Sequence, residues 1–475
     1  MKILLVNPPL KNLIQAETPK FVTKDRGHNP PLGIISIASC VNKFTNHAAE
    51  VLDTQVEELS LDEIKARIKK SAPDVVGMAA HTFTLLDSLY LAELVKGINP
   101  EIKVLLGGPH ATMFPRESIH HPQVDFVLTG EGEKTVPELL DAIGNDEKLK
   151  KVRGMVFRDE TGRVISTGPP EQIEDLDTLP VTDMKLVPYM RYSSLLAKKN
   201  PLTTMVTSRG CPYRCTFCDR PQMGGKTFRA RSAKLVVDEM EINKGLGINE
   251  ILFYDDTFTL DKERTFDICN EIIRRKLDIV WDVRTRADSV NLEMLKLMKK
   301  AGCHRINFGV ESGTSEGLSI VKKDVSLEKL EQTFKMTKAV GLDVLGYFML
   351  GLPGETKAMM HQTIGFAKKL DPSFAHFTVF TPFPQTEVWR DLLAKGDNSV
   401  ANAWKEYALN PTTAFDPPTC NEYLTKKELF EMAQIAYKEF YFRPNYIMRE
   451  LLKVKSLGEF VKKTKAGVKM LLAEA

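Results

Sequence analysis

The sequence predicts an α/β chain made of two successive parallel-sheet units and a mostly helical C-terminal extension. Three observations predict it. Short β-branched or apolar runs alternate with amphipathic stretches from Lys2 to about Gly144, and the alternation returns at a longer period from Thr203 to about residue 384. Between them lies a stretch rich in Pro and Asp with no helical period. Beyond residue 384 the rhythm is lost. Strand and helix in strict alternation build a parallel sheet covered by helices, so the first unit reads as a doubly wound, Rossmann-like sheet and the second as a partial TIM-type (β/α)6 barrel. The expected boundaries are 1–145, a hairpin and linker over 146–200, the barrel over 201–384 and the extension over 385–475.

Composition narrows the class. A chain of 475 residues is long enough for these units, and 43% hydrophobic with 27% charged residues is ordinary for a globular protein. A net charge of +3 gives no argument for nucleic acid. The start holds only the short apolar run Ile3 to Val6 before Asn7-Pro8-Pro9, too little for a signal peptide, and no run of about 18 apolar residues follows. A cytoplasmic protein is expected, in which thiols stay reduced and clustered cysteines serve metals rather than disulfides.

In the first unit, strands are expected at Lys2 to Val6, Ala49 to Asp53, Val75 to Ala80, Lys103 to Leu106 and Phe126 to Thr129, with helices over about 34–43, 61–70, 84–97 and 133–143. A doubly wound sheet binds its ligand at the carboxyl ends of its strands. Those ends carry Asn7-Pro8-Pro9, His81-Thr82, Gly107-Gly108-Pro109-His110 and Gly130-Glu131-Gly132-Glu133, and glycines there allow close approach of a ligand to the backbone. No G-x-G-x-x-G follows the first strand, which disfavours a dinucleotide. Val152 to Phe157 and Arg163 to Thr167 read as a β-hairpin turning at Asp159-Glu160-Thr161-Gly162, followed by an extended linker through Pro180.

The barrel strands are expected at 203–208, 250–254, 279–284, 304–310, 343–350 and 374–380, with helices over about 232–244, 261–275, 291–301, 326–340 and 356–369. Directly after the first strand, Thr207 to Arg220 places Cys211, Cys215 and Cys218 in a C-x3-C-x2-C loop, three of the seven cysteines. Three thiolates so close together suit a tetrahedral zinc site or a 4Fe-4S cluster. No fourth Cys or His follows nearby, since the next are Cys269 and His304. That leaves one coordination position open, which suits a catalytic centre.

This loop, with Phe217 just before its last cysteine, resembles the cluster loop of the radical S-adenosylmethionine (radical SAM) enzymes. The resemblance implies that Cys211, Cys215 and Cys218 hold a 4Fe-4S cluster whose open iron is chelated by SAM, and that reductive cleavage of SAM yields a 5'-deoxyadenosyl radical. The later strand ends match the family's order of motifs, and Phe217, Tyr254, Arg286, Glu311, Ser312 and Leu350 are expected to contact SAM. Chemistry agrees: Glu311 can accept from ribose or the amino group, and Arg286 can pair with the carboxylate.

The first unit, through V-N-P-P, L-L-G-G-P-H and T-G-E-G-E, is similar to the cobalamin-binding domain fused to many radical SAM enzymes. Pro8, His81, Thr82, Gly107, Gly108, His110, Gly130, Glu131 and Gly132 are the expected cobalamin contacts. The D-x-H-x-x-G motif that supplies an axial histidine elsewhere is absent, so no histidine from that motif is implied. The whole resembles the cobalamin-dependent radical SAM enzymes related to the anaerobic magnesium-protoporphyrin monomethyl ester cyclase. The commonest activity of that class implies a C-methyltransferase, in which one SAM methylates cobalamin and another is cleaved at the cluster. The substrate class stays open between small molecules and lipids, and a flavodoxin or ferredoxin is implied as electron donor.

Other readings are a radical cyclase, ring-contraction or carbon-carbon coupling enzyme with cobalamin as relay or absent, a cobalamin-binding sensor or carrier without catalysis, and a zinc-stabilised interaction protein. In the extension a helix is expected from Lys426 to Tyr441. Residues 443–475 carry eight Lys/Arg against three Glu, with Val454, Leu457, Val461, Val468 and Leu471 near helical spacing. Such a stretch can lie on an anionic membrane, but packing on the domain is the favoured reading.

Overall fold

The structure, a computed structural model, describes residues 1–14, 27–219 and 223–452. The first sheet has seven strands: β1 (Lys2–Asn7), β2 (Ala48–Asp53), β3 (Val75–Ala79), β4 (Lys103–Gly107), β5 (Phe126–Leu128), β6 (Met155–Arg158) and β7 (Val164–Ser166). Their spatial order is β2-β1-β3-β4-β5-β6-β7, parallel through β5 and antiparallel beyond. The hairpin expected in the junction is therefore the antiparallel edge of the first sheet; register with β5 pairs Phe126 with Phe157 and Leu128 with Met155. Local pattern marked it as a hairpin, but only pairing assigns it to a sheet.

Helices α1 (Leu32–Phe44), α2 (Leu61–Ser71), α3 (Leu85–Ile98) and α4 (Gly132–Ala142) cover the two faces. α2 shows why such helices start where they do: Ser60 caps the Glu63 amide while the Glu63 carboxylate returns to the Ser60 amide. Because strand order reverses between β1 and β3, the crevice of the sheet opens at their carboxyl ends, where Pro8 and His81 lie.

The second sheet runs β8 (Leu202–Met205), β11 (Glu250–Phe253), β12 (Val280–Thr285), β13 (Cys303–Glu311), β14 (Asp343–Leu350) and β15 (Phe374–Val379), all parallel and in chain order. Between β8 and β11 lies a short antiparallel ribbon of β9 (Ser208–Arg209) and β10 (Arg229–Ala230). Helices α5 (Ala233–Gly245), α6 (Lys262–Arg274), α7 (Leu292–Lys300), α8 (Leu327–Ala339) and α9 (Lys357–Leu370) pack outside, and Trp281, Phe253, Phe308 and Phe348 fill the core between sheet and helices. This is the six-unit open barrel that the alternation predicts.

The extension closes the molecule in two places. Its helix α10 (Ser399–Leu409) inserts Trp404, fully buried, among Phe114, Phe383 and Phe415, and Trp404 Nε1 donates to the Pro382 carbonyl at 3.0 Å. Phe83, from the end of β3, meets Phe383, from the end of β15, edge to face at 5.8 Å, so the aromatic cluster joins the carboxyl ends of both sheets. Helix α11 (Lys426–Tyr441), at the predicted place, covers β15, and its Tyr437 and Tyr441 hydroxyls accept from the Phe377 and Ala375 amides. An edge strand otherwise offers such groups to a stray chain. No helix among the described residues is long and apolar enough to cross a membrane. Arg220 and the basic stretch bearing Val454, Leu457, Val461, Val468 and Leu471 lie outside the described residues.

Candidate active site

The cysteine loop hangs from the ribbon of β9 and β10 at the carboxyl end of β8. Its neck is fastened by Asp255, which accepts from the Thr207 amide (2.6 Å), the Thr207 hydroxyl (2.6 Å) and the Ser208 hydroxyl (2.7 Å). Arg264 donates to Thr207 from the other side, at 2.7 Å to its hydroxyl. Gly210 has φ +84°, and a Cβ there would lie 2.1 Å from the Thr227 carbonyl oxygen, so only glycine lets the chain turn into the loop. Further along, the Thr216 amide donates to the Val321 carbonyl (3.2 Å), and the Val388 amide to the Thr216 carbonyl (3.1 Å).

Cys211, Cys215 and Cys218 are half-buried on this loop and in no disulfide. Among the described residues no three Cys, His, Asp or Glu side chains are drawn onto one point as a single ion would require. A cubane cluster makes no such demand, because each thiolate binds a different iron. The surroundings suit a group of negative charge. Arg286 Nη1 lies 3.8 Å from Cys215 Sγ, and the charges of Lys323 and Arg286 both act to lower the Cys215 pKa. Burial still pushes the Cys215 thiol up overall.

Arg286 is held in place before any ligand arrives. Its Nε and Nη2 bind the two Asp288 oxygens at 2.9 and 2.7 Å, and its guanidinium lies 3.8 Å over the Tyr213 ring, which leaves Nη1 facing the loop. Glu311, expected to meet SAM, accepts from Lys323 Nζ at 2.8 Å, with both side chains buried. It sits at φ +69°, beside Gly309, where a Cβ would come within 2.2 Å of Glu311 Oε1.

The remaining predicted SAM contacts divide. Phe217 packs with Val321, Met349, Leu352 and Phe380 where the ends of β14 and β15 meet the loop. Leu350 does not join them. Its side chain lies in the outer core with the helices, because alternation along β14 turns Met349 and not Leu350 toward Phe217, so a contact from residue 350 would have to come from its backbone. Ser312 is fully buried, its Oγ within 3.2 Å of Thr314 Oγ1 and 3.4 Å of Thr363 Oγ1. The Tyr254 hydroxyl accepts from Asn29 Nδ2 of the first unit at 2.7 Å, and Arg284 lies 3.5 Å over its ring.

Of the predicted cobalamin contacts, His81 is exposed and Thr82 half-buried at the mouth of the crevice, and the Pro8 carbonyl accepts from Gln55 Nε2 at 2.8 Å. His110 is fully buried: Nδ1 lies 3.2 Å from Thr82 Oγ1, Nε2 has no partner, and burial, with His121 nearby, drives its pKa down to about 3. It is a neutral ring behind Thr82, not one lining the mouth. Three of the glycines make room for the chain itself. A Cβ on Gly108 would meet the Ala80 carbonyl at 3.0 Å, one on Gly130 the Pro170 ring at 2.7 Å, and one on Gly132 the Ile37 side chain at 2.6 Å. Gly107 alone of the four has nothing closer than 3.9 Å, and its carbonyl accepts from the Ala80 amide at 2.8 Å. The Glu131 carboxylate is occupied by Arg229, Arg209 and the Ile173 amide. An uncrowded glycine at Gly107, a half-buried hydroxyl at Thr82 and an unpartnered buried nitrogen behind it, all near the topological switch, fit a ligand rich in amides.

Lys323, Asp255, Arg209 and Glu133 escaped the sequence reading as site residues. Lys323 belongs to V-K-K-D, which carries no motif, and only the return of the chain after the helix Ser315–Ile320 brings it to Glu311. Asp255 stands in the marked strand end Y-D-D-T, a signal that could have found it.

Known proteins resemble the chain over nearly its whole length. The radical SAM superfamily matches residues 205–367 and the B12 binding domain residues 20–140. An uncharacterized methyltransferase, PH0819, of Pyrococcus horikoshii is 36% identical over 453 residues, covering 95% of each chain. The anaerobic magnesium-protoporphyrin IX monomethyl ester cyclase of Rubrivivax gelatinosus is 25% identical over 442 residues, 92% of this chain and 78% of that one. The solved structure of OxsB, a cobalamin-dependent S-adenosylmethionine radical enzyme with aqua-cobalamin and S-adenosylmethionine bound, shares the fold with a TM-score of 0.74 at 18% identity, over 99% of this chain and 72% of that one.

Proposed function

We infer the reaction from family membership: the chain belongs to the radical SAM superfamily, in the branch that carries a B12 binding domain ahead of the barrel. It is an enzyme whose cofactors are a 4Fe-4S cluster, SAM and cobalamin, and it is read as a methyltransferase acting on an unactivated carbon of a small molecule. When bound, the cluster with SAM supplies a 5'-deoxyadenosyl radical, and cobalamin supplies a methyl group. The observation that carries the reading is that the ends of both sheets meet at one place, joined by the contact of Phe83 with Phe383.

The chain's own residues have separate tasks there. Cys211, Cys215 and Cys218 would hold three irons and leave the fourth to SAM. Arg286, pinned by Asp288 and Tyr213, would offer Nη1 to a carboxylate or to cluster sulfur, while Glu311 with Lys323 presents an acceptor and a donor beside it. Phe217, Met349, Leu352 and Phe380 form an apolar wall that excludes water from a radical. Tyr254, Ser312 and the backbone at Leu350 complete the proposed SAM contacts, and Pro8, His81, Thr82 and Gly107 the proposed edge for cobalamin. Three reduced thiols on one loop call for a reducing compartment, which supports a cytoplasmic enzyme with a flavodoxin or ferredoxin as one-electron donor.

The test is made on anaerobically reconstituted enzyme under reduction, with and without cobalamin, quantifying 5'-deoxyadenosine and S-adenosylhomocysteine. Both products, the second only with cobalamin, are expected. Deoxyadenosine alone under both conditions would overturn methyl transfer in favour of a ring-forming or coupling reaction.

A further inference from the structure

The neck of the cysteine loop has an unusual charge pattern. In the ribbon of β9 and β10, Arg209 stands directly opposite Arg229. Like charges facing each other across an antiparallel pair destabilise it, and this pair is only two residues long on each side. Alone, such a neck would open.

What holds it shut comes from the other unit. Arg229 gives Nη1 and Nη2 to the Glu131 carboxylate at 3.1 and 2.7 Å, and its remaining bonds go to the Ile173 and Gly224 carbonyls. Arg209 gives Nη2 to Glu133 at 2.5 Å and has Nη1 within 3.3 Å of Glu131. Ser36 supports Glu133 at 2.9 Å, and the Ile173 amide supports Glu131 at 2.8 Å. Two cations meet two anions, and all four side chains are buried or nearly so. Burial opposes the charged form of Glu131, but the bonds from Arg229 and the charge of Arg209 more than offset it and hold the carboxyl below its ordinary value. Both glutamates stand at the start of α4, where the helix dipole also favours negative charge. Directly beyond the neck, the Cys211 amide donates to the Gly225 carbonyl at 3.2 Å, so the shape of the neck passes to the first ligand of the loop.

We propose that Glu131 and Glu133 are positioning residues for the cluster: by neutralising Arg209 and Arg229 they close the neck of the cysteine loop, which takes its cluster-binding shape only with the N-terminal unit docked. T-G-E-G-E thus serves the neighbouring unit's cofactor through its carboxylates, whatever its backbone offers to cobalamin. The inference rests on the reading of the loop as a cluster site, but its first readout needs no cofactor.

Amide hydrogen exchange is followed on the full chain as isolated, for the wild type, Glu133→Gln, Glu131→Gln/Glu133→Gln and Arg209→Lys. The double variant is expected to exchange about tenfold faster or more at Thr207–Cys211 and Lys226–Arg231, with α7 and α9 unchanged. Glu133→Gln should move the same way by less, and Arg209→Lys, which keeps the charge, should stay near the wild type. After reconstitution, iron per chain should fall to about half or less in the double variant, with the reduced-cluster spectrum broadened. Hydroxocobalamin affinity of the cluster-free chain should hold within about twofold. Unchanged neck exchange in both glutamine variants overturns the proposal, as does faster exchange throughout the chain. A loss of cobalamin affinity with an unmoved neck would make the glutamates corrin contacts instead and also overturn it. Failure of the wild type to form S-adenosylhomocysteine would sink methyl transfer while leaving these readouts as they stand.

Discussion

Replacing Lys323 by Met isolates the Glu311 carboxylate inside the site. The two groups lie 2.8 Å apart, with side chains 6% and 10% exposed. At an effective dielectric of about 20 their attraction is about 6 kcal/mol, most of which offsets the loss of hydration. Removing one partner leaves the other buried and unpaired, a loss of about 3–5 kcal/mol. Lys323→Met and Glu311→Gln should therefore each speed exchange at the β13 amides by about two to four orders of magnitude. The double variant Lys323→Met/Glu311→Gln leaves no buried charge and should recover to within about 1–2 kcal/mol of the wild type. Native-state exchange on β13 measures all of these against one reference. If the singles lose less than about 1 kcal/mol, or the double variant loses their sum, the pair is not a coupled buried unit and the reasoning fails.

Cys211→Ala, Cys215→Ala and Cys218→Ala should each lower reductive SAM cleavage by at least about a thousandfold, since a cubane short of a thiolate is not held; a Cys215→Ala protein that still forms 5'-deoxyadenosine would refute the ligand assignment. Trp404→Ala should loosen the joint between the sheets by about 3–5 kcal/mol and speed proteolysis of α10, measured against the intact barrel core. Glu355 gives a dependence on pH. Its carboxyl accepts from the Gly351 and Leu352 amides at 2.7 and 3.0 Å, but burial outweighs these bonds and pushes it up from 4.5 to about 7. The folded chain keeps that proton where the unfolded chain has lost it, so the contribution is full below about 4.5, falls as pH rises through 7 and is gone above. The protection of the Gly351 and Leu352 amides should drop by about 3 kcal/mol across that window, and Glu355→Gln should flatten the profile.

Much of this molecule was legible in sequence because its elements are local. Strands of β-branched residues and helices of amphipathic period need only their own few residues to declare themselves, and all eleven principal parallel strands stand within a few residues of their expected places. The cysteine loop was legible for the same reason, its ligands being spaced along one short segment. Pattern also marked the strand ends, but it treated each glycine as room for a ligand, whereas Gly108, Gly130 and Gly132 make room for Ala80, Pro170 and Ile37.

By itself, then, the sequence determined two parallel-sheet units in order, the three-thiol loop after β8, and the α11 helix that covers β15. Only tertiary structure decided what lies across from what. It joined the hairpin to the first sheet, turned Leu350 outward and Met349 inward, buried His110 behind Thr82, and set Lys323 against Glu311. The physical reason is that these facts depend on residues distant in the chain, as with Arg229 and Glu131, 98 positions apart. No local propensity encodes such a pair; it forms because burying either charge without the other is too unfavourable to persist.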